Sequence, residues 1–244
     1  MKKFIYLTFI LTTLMTVIFS VNSQATVEKP ISFLQDDSKW GSKSYTIIGS
    51  RSQTIASSGC GPTSMAMVLN HYVDDTITPV QTANFAIERY HRTRNDGTAW
   101  SYFKDMANEY DLDFLQTASS VEALEWMNTK RDPLIICAMG PGLWTSRGHF
   151  ILLWNVKNGV ASINDPASTK QIRLENSYKR VASQCRQFFC FDRPKTSESF
   201  LFNDTNALSA ESSLCGIIKQ SPVREVVSPY LYELMQPPIR EFTH

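Results

Sequence analysis

The sequence predicts an α+β fold in which helices come first along the chain and antiparallel strands follow. Between residues 60 and 131, four segments carry apolar residues at helical spacing, and between residues 134 and 164, three apolar runs are typical of strands. Because helices and strands do not alternate, a parallel sheet built from βαβ units is not expected. With 244 residues, 43% of them hydrophobic, the chain is long enough for one domain with an appendage.

Each predicted helix starts at a recognisable N-terminal signal. The first begins within a residue or two of Cys60, because Pro62 suits a first helical turn. Thr78 caps the second helix, which runs to about Tyr90. The third and fourth helices are predicted over residues 98–110 and, with Ser119 or Ser120 as N-cap, up to Arg131.

Strands are predicted over residues 134–139, 149–156 and 160–164, with weaker signals at residues 171–174 and 187–191. The last of these is an aromatic stretch that could close the sheet. Residues 195–213 are rich in Ser, Thr, Asn and Asp, which is typical of a loop or linker. We therefore expect a domain over residues 26–194 and a C-terminal extension over residues 195–244.

The first 25 residues are typical of a signal peptide for secretion. Lys2 and Lys3 are followed by an apolar stretch over residues 4–21, and Ser23 and Ala25 provide small residues for cleavage. The mature chain would begin near Thr26, be exported to the periplasm or secreted, and have no membrane association once the signal is removed. An uncleaved anchor helix is the alternative, because roughly 18 apolar residues lie at the lower limit for spanning a bilayer.

The charge balance argues against a nucleic-acid partner. Two of the 24 basic residues are Lys2 and Lys3 of the leader, which leaves 22 basic against 23 acidic residues in the rest of the chain. A protein without a basic excess has no general electrostatic attraction for a phosphate backbone. A role in binding DNA or RNA is therefore not expected.

Five cysteines would lie in an oxidising compartment if the protein is exported. Because the number is odd, at least one has no intramolecular partner. Cys137 lies in an apolar run and is predicted to be a core residue, so a disulfide is expected between Cys215 and either Cys185 or Cys190. Zinc binding is disfavoured because Cys185 and Cys190 have neither a CxxC partner nor a nearby histidine. No metal or other cofactor is expected.

Cys60 is the candidate nucleophile. In Gly59-Cys60-Gly61 the thiol would lie at a helix N-terminus, where unpaired N–H groups and the helix dipole stabilise a thiolate. The two glycines permit a sharp turn and leave room for a substrate carbonyl. A buried, inert cysteine at the start of a helix is the alternative, so a second feature is needed.

His149 is the candidate general base. It opens an apolar strand directly after Gly148, so the sheet would hold the ring while its edge reaches a cleft. A core histidine is the alternative. The remaining histidines, His71, His91 and His244, are expected to be solvated, since they lie at a helix end, in a charged run and at the chain end.

Asp165 is the third candidate, because it ends the strand that follows the strand of His149. If residues 157–159 form a three-residue hairpin loop, Val156 pairs with Val160, and His149 and Asp165 become diagonal neighbours on one face. A two-residue Asn-Gly turn would shift the register by one and place them on opposite faces. A catalytic arrangement therefore favours the longer loop, whereas a plain turn former before a proline is the alternative role of Asp165.

These residues resemble a known family, the papain-like cysteine peptidases related to the bacteriocin leader-processing (double-glycine) peptidases, in their freestanding secreted form. The similarity covers about residues 31–168 and lies in five motifs, at residues 35–41, 54–67, 97–98, 148–150 and 164–166. Each motif is weak alone, but they are specific as a set. The resemblance implies a papain-like fold, in which the nucleophile stands at the N-terminus of a helix that packs on an antiparallel sheet.

The resemblance also implies the role of each site residue. Cys60 would be the nucleophile, His149 the general base and then acid, and Asp165 the group that orients the imidazole. The family has an oxyanion-hole glutamine a few residues ahead of the nucleophile, whereas here Gln53 is seven and Gln35 twenty-five residues ahead. Gln35 is preferred because its Gln-Asp-x-x-x-Trp-Gly context resembles that of the freestanding relatives. The Cys60 backbone N–H would be the second donor.

The resulting hypothesis is an exported thiol hydrolase that cleaves a peptide or amide bond through an acyl-enzyme, with a peptide or protein as substrate. A peptidoglycan amidase or endopeptidase acting on cell-wall peptide is an alternative on the same triad, and so is an acyl transferase. An inactive binding protein on this scaffold is disfavoured by the complete triad. Residues 141–147, just before His149, would form either a mobile rim of the cleft or an ordinary strand connection.

Overall fold

The computed structural model of the chain describes residues 28–95 and 97–194. The predicted leader, the C-terminal extension and Cys215 therefore lie outside the described residues. Within the two described ranges, no helix combines the length and the apolar character needed to cross a membrane.

The four predicted helices are present, and the last three are slightly shorter than expected. They are α2 (Cys60–Tyr72), α3 (Pro79–Glu88), α4 (Ser101–Glu109) and α5 (Ser120–Thr129). A short helix that the periodicity did not reveal, α1 (Ile55–Ser58), precedes α2 directly. Capping marks the starts of α3 and α5: the Thr78 N–H donates to Gln81 Oε1 at 3.0 Å, and Ser119 Oγ accepts from the Glu122 N–H at 3.3 Å.

The strands form one antiparallel sheet of six strands within the described residues, in the order β1-β6-β2-β3-β4-β5. Their bounds are β1 (Leu112–Thr117), β2 (Leu134–Met139), β3 (His149–Lys157), β4 (Val160–Asn164), β5 (Glu175–Ser177) and β6 (Cys185–Pro194). The α+β prediction is confirmed. The aromatic stretch lies in β6, which is inside the sheet between β1 and β2. Because helices cover both faces of the sheet there, the side chains of this stretch are buried on both faces.

The weak strand signal at residues 171–174 is wrong. These residues form a short helix, α6 (Gln171–Leu174), and the chain continues through the edge strand β5 into helix α7 (Tyr178–Gln184). Four residues that alternate between polar and apolar are too few to distinguish one helical turn from a strand. This segment proves important for the site, because it brings Arg173 next to Asp165.

Helices cover both faces of the sheet. On one face, Ile136, Leu152 and Phe189 belong to the core that includes α2, α3 and α4. On the other face, Ile135, Leu153 and Phe188 pack with residues of α5 and α7. Strand β2 is therefore buried at every position, which is why it reads as an uninterrupted apolar run. The prediction that Cys137 is a core residue is confirmed, since its exposed fraction is 0%.

The β3–β4 hairpin differs from the predicted three-residue loop. Asn158 and Gly159 both have positive φ, of 53° and 75°, as a two-residue hairpin turn of the primed type requires. Lys157 consequently pairs with Val160, and the predicted pairing of Val156 with Val160 is wrong. The turn is short because Asn and Gly tolerate the left-handed region better than other residues.

A β-bulge compensates for the short turn. Trp154 is an extra residue in β3, since its neighbours Leu153 and Asn155 pair with consecutive residues of β4. The bulge shifts the pairing by one residue, so the register at the far end of the hairpin is the one that the longer loop would have produced. This shift brings His149 and Asp165 together.

Candidate active site

The nucleophile candidate lies at the junction of two helices. Cys60 is the first residue of α2, and Gly59 is the single residue between α1 and α2. A Cβ on Gly59 would lie 2.5 Å from the carbonyl oxygen of Ile55, and a Cβ on Gly61 would lie 2.6 Å from Thr98 Oγ1. Neither glycine has a positive φ. Close packing on both sides of Cys60, not an unusual backbone conformation, therefore explains the two glycines.

His149 and Asp165 are in direct contact, as the resemblance implied. His149 Nε2 lies 2.8 Å from Asp165 Oδ1, and the Ala167 N–H donates to the same oxygen at 2.9 Å. Asp165 is fully buried and the His149 side chain is 8% exposed. Because Nε2 faces the carboxylate, Nδ1 is the ring nitrogen left for Cys60.

The thiol and the imidazole shift each other's protonation. Burial raises the pKa of the Cys60 thiol, but hydrogen bonding to His149 and its charge, with the backbone groups of Phe150 and Gly61, outweigh burial and lower this pKa overall. Burial disfavours the His149 imidazolium, but hydrogen bonds with Asp165 and Cys60 outweigh it and raise the pKa of His149 to about 9. Both shifts favour the thiolate–imidazolium pair over the neutral thiol and imidazole.

Asp165 has a second cationic partner that the sequence did not reveal. Burial raises the pKa of this carboxyl group, but the contacts with His149, the Ala167 N–H and the charge of Arg173 lower it overall. Arg173 Nε donates to Asp165 Oδ2 at 2.5 Å. No motif marks Arg173, and its segment was predicted as a strand, so only the folded chain identifies this contact.

The loop before His149 is held at several points. Trp144 is 3% exposed, and its Nε1 donates to the Arg173 carbonyl oxygen at 3.0 Å. The Leu143 N–H donates to Gln184 Oε1 at 2.7 Å. Residues 141–147 are therefore better described as a packed strand connection than as a free rim.

Gln35 lies between the Asp165 turn and the segment ahead of Cys60. Its backbone N–H donates to the Pro166 carbonyl oxygen at 2.7 Å, and its Nε2 donates to the Ala56 carbonyl oxygen at 2.5 Å. An amide nitrogen carries two N–H donors, so one remains for another acceptor after Ala56 is satisfied. The side chain is thus held on α1, beside the nucleophile helix.

Gln53, the other glutamine considered, has a different environment. Its Oε1 accepts a hydrogen bond from Thr46 Oγ1 at 2.5 Å, and its Nε2 donates to the Arg94 carbonyl oxygen at 2.7 Å. Both ends of the amide therefore support the loop ahead of α1. The Gln53 amide is thus bound at both ends, whereas the Gln35 amide binds the Ala56 carbonyl oxygen through Nε2.

Two histidines expected to be solvated are buried instead. The His71 side chain is 6% exposed and lies 2.9 Å from Asp132, and His91 is 6% exposed and lies 3.0 Å from Asp105. A hydrogen bond to a carboxylate offsets the cost of burying an imidazole. The sequence around these histidines does not reveal that such a partner is near. Of the three histidine–aspartate pairs in the described residues, the one that contacts Cys60 is that of His149. His244 lies outside the described residues.

The other cysteines lie away from this site. The four described cysteines are free thiols, and Cys137 contacts Cys185 on the neighbouring strand. The expected disulfide with Cys215 involves a residue outside the described ranges and stays a prediction. Among residues 28–95 and 97–194, no group of three or more His, Cys, Asp or Glu side chains could hold a metal ion.

The chain matches the model of the Peptidase_C39 like family over residues 44–189. The matched region includes Cys60, His149 and Asp165, and Gln35 lies ahead of it. A search of curated proteins finds no match.

Several solved structures are similar to this chain. The peptidase domain of Streptococcus ComA, a bi-functional ABC transporter involved in a quorum-sensing pathway, is 17% identical, with coverage of 55% of this chain and 91% of that one and a TM-score of 0.43. A double glycine motif protease from an AMS/PCAT transporter, in complex with the leader peptide, is 19% identical, with coverage of 69% and 94% and a TM-score of 0.44. A protein described as a C39-like peptidase from Bacillus anthracis is 14% identical, with coverage of 68% and 98% and a TM-score of 0.40.

Proposed function

Because the chain belongs to the Peptidase_C39 like family of cysteine peptidases, we propose that it hydrolyses a peptide or amide bond through Cys60, His149 and Asp165. The observation that carries the proposal is the continuous contact from Asp165 through His149 to Cys60 at the N-terminus of α2. A nucleophile, a base within reach and a group that orients the base are the components of acyl transfer to a protein side chain.

The first half-reaction forms the acyl-enzyme. The Cys60 thiolate attacks the carbonyl carbon of the scissile bond, and the carbonyl oxygen becomes an oxyanion. The His149 imidazolium then donates its proton to the leaving amine as the carbon–nitrogen bond breaks. This step leaves a thioester on Cys60 and a neutral imidazole that Asp165 keeps in place.

The second half-reaction releases the acid. Neutral His149 removes a proton from a water molecule, which attacks the thioester carbonyl, and the thiolate leaves as the carbon–sulfur bond breaks. The cycle ends with the thiolate and the imidazolium restored. If an amine replaces water, the same site carries out acyl transfer.

The oxyanion would be stabilised by the Cys60 backbone N–H and by Gln35. As the first residue of α2, Cys60 contributes a backbone N–H at the positive end of the helix dipole. The bond from Gln35 to the Ala56 carbonyl fixes the direction of the amide, which leaves its second N–H to the substrate oxygen. Loss of one such donor typically lowers the rate by about 10²–10³.

The proposal extends to export and to the division of the chain. A positively charged start, an apolar stretch and small residues at positions 23 and 25 support a signal peptide over residues 1–25 and a periplasmic or secreted enzyme. The peptidase domain would cover residues 26–194, and residues 195–244 would be an extension. A peptide or protein is the proposed substrate, and cell-wall peptide is the alternative. Zymography distinguishes the two.

Zymography on gels cast with protein or with cell wall tests the activity. The wild-type chain and the Cys185→Ala variant are expected to clear one of the two gels, because Cys185 lies outside the site. Cys60→Ala is expected to clear neither. Clearing by Cys60→Ala at the wild-type level would contradict the proposal, and the gel that clears identifies the substrate class.

A further inference from the structure

Arg173 binds the carboxylate oxygen of Asp165 that His149 leaves free. Its Nε donates to Oδ2 at 2.5 Å, whereas His149 and the Ala167 N–H both contact Oδ1. Each oxygen of the carboxylate thus has its own partners. A rotation of the carboxylate away from His149 would have to break the contact with Arg173 as well.

The charges explain why a second cation is needed. Asp165 is fully buried, and a buried carboxylate without a partner is costly. In the proposed reaction, His149 carries a proton only part of the time, because it gives that proton to the leaving amine. A guanidinium carries a permanent positive charge, so Asp165 keeps a cationic partner in Arg173 when the imidazole is neutral.

Arg173 also holds the loop that leads into His149. Its Nη2 donates to the Trp144 carbonyl oxygen at 2.8 Å, and Trp144 Nε1 donates back to the Arg173 carbonyl oxygen at 3.0 Å. His149 follows five residues after Trp144. One side chain therefore connects the orienting carboxylate to the segment that places the base.

We propose that Arg173 is a positioning residue of the active site, which keeps Asp165 ionised and turned toward His149. This inference rests on the proposed function, because Arg173 acts through Asp165 and His149 on the state of Cys60. Without Arg173, Oδ2 loses the contact that holds it, so the carboxylate can rotate away from His149 and weaken its hydrogen bond to the imidazolium. The proton then moves back from His149 to the thiol. The measurable consequence is less thiolate at Cys60 at neutral pH.

The test follows the rate of Cys60 alkylation by iodoacetamide against pH in the full chain, so no substrate is required. Arg173→Met is expected to move the midpoint of this profile upward by about one pH unit. Below the midpoint, such a shift lowers the rate about tenfold. The midpoint for Arg173→Lys is expected to lie between those of the wild type and Arg173→Met. The lysine ammonium can pair with Asp165, but it lacks the planar guanidinium that also donates to the Trp144 carbonyl oxygen.

A double-mutant cycle identifies the route. If Arg173 acts through Asp165, Arg173→Met has no further effect on the midpoint in an Asp165→Asn background. The double variant contains no unpaired buried carboxylate, so it should fold even if Arg173→Met alone does not. Arg186→Met, which removes an exposed arginine beside Gly140, is the matched control and should match the wild type.

An unchanged midpoint in Arg173→Met would overturn the inference. So would an equal upward shift in the wild-type and Asp165→Asn backgrounds, since the effect would then bypass Asp165. If Arg173→Met does not fold, two other results would overturn the inference. One is a midpoint for Arg173→Lys equal to that of the wild type, and the other is a midpoint for the double variant that differs from that of Asp165→Asn. A wild-type chain whose Cys60 shows no pH-dependent reactivity would instead contradict the proposed function.

Discussion

His149 turns its Nε2 toward Asp165, 2.8 Å from Oδ1, and so leaves Nδ1 for the thiol of Cys60. The imidazole ring therefore lies between the Asp165 carboxylate, which stays negative, and the Cys60 sulfur, which changes its charge during the reaction. The carboxylate selects the tautomer that carries its hydrogen on Nε2, and it stabilises the imidazolium once Nδ1 is protonated.

Asp165→Asn should reduce hydrolysis on the order of 10³–10⁴, because the amide neither stabilises the imidazolium nor enforces the correct tautomer. Turnover of whichever substrate zymography identifies is the measurement, and circular dichroism at the assay temperature shows that the chain is folded. Near-normal turnover in a folded variant would show that Asp165 is only a turn former. The loss of a charged partner for Arg173 should lower the melting temperature as well.

The raised pKa of His149 predicts how activity and stability change with pH. Activity should fall as pH rises through about 9, where the imidazolium that protonates the leaving amine is lost. A pKa above the unfolded value means that His149 contributes stability fully below about pH 6.5, and that this contribution disappears as pH rises through about 9. Chemical denaturation of His149→Gln across this range should show a smaller decrease in the free energy of unfolding than the wild type.

Cys60 should be the first cysteine alkylated by iodoacetamide in the native chain. Its thiol pKa is lowered, whereas burial raises the pKa of the Cys137 and Cys190 thiols. Peptide mapping of the labelled protein provides the order of modification. First labelling of Cys137, with Cys60 unreactive, would exclude the catalytic role.

Gly61→Ala should impair both folding and catalysis, because the new Cβ would lie 2.6 Å from Thr98 Oγ1 at the start of the nucleophile helix. We expect a loss of about 1–3 kcal/mol in the free energy of unfolding. Gly148→Ala is the matched control, since a Cβ there meets nothing within 4 Å and the backbone is not left-handed. Denaturant unfolding should give a lower free energy of unfolding for Gly61→Ala than for Gly148→Ala, and Cys60 should be alkylated more slowly in Gly61→Ala. Equal values for the two variants would show that helix α2 can shift to accommodate the new Cβ.

A disulfide of Cys215 should involve Cys185 in preference to Cys190. Cys185 is half-buried at the start of β6, whereas Cys190 is completely buried within the sheet. Non-reducing peptide mapping of exported protein would identify the bridge. Recovery of Cys215, Cys185 and Cys190 as free thiols would show that the extension is not covalently attached to the domain.

Much of the fold could be predicted because its signals are local. Thr78 and Ser119 cap helices at the positions expected, and the buried strand β2 reads as an unbroken apolar run. The sequence does not predict strand β1 or the short helices correctly, because a few residues without a clear period do not distinguish a strand from a helical turn. Their structure depends on the neighbours they pack against.

The hairpin shows how a correct contact can follow from an incorrect turn. A meeting of His149 and Asp165 favours a three-residue loop when only the sequence is considered, yet Asn158 and Gly159 form a two-residue turn. The bulge at Trp154 restores the register. No local signal marks the bulge, because it results from how β3 packs between β2 and β4.

The sequence by itself determined that a helix starts at or next to Cys60, that His149 opens a buried strand and that Asp165 directly follows the next strand. Capping residues, prolines and apolar periodicity act over a few residues, so they can be read without the fold. The tertiary structure alone decided that Gln35 reaches the carbonyl of Ala56 and that Arg173 binds the second oxygen of Asp165. These contacts join segments whose separation depends on packing and strand register, and both are set by the whole chain at once.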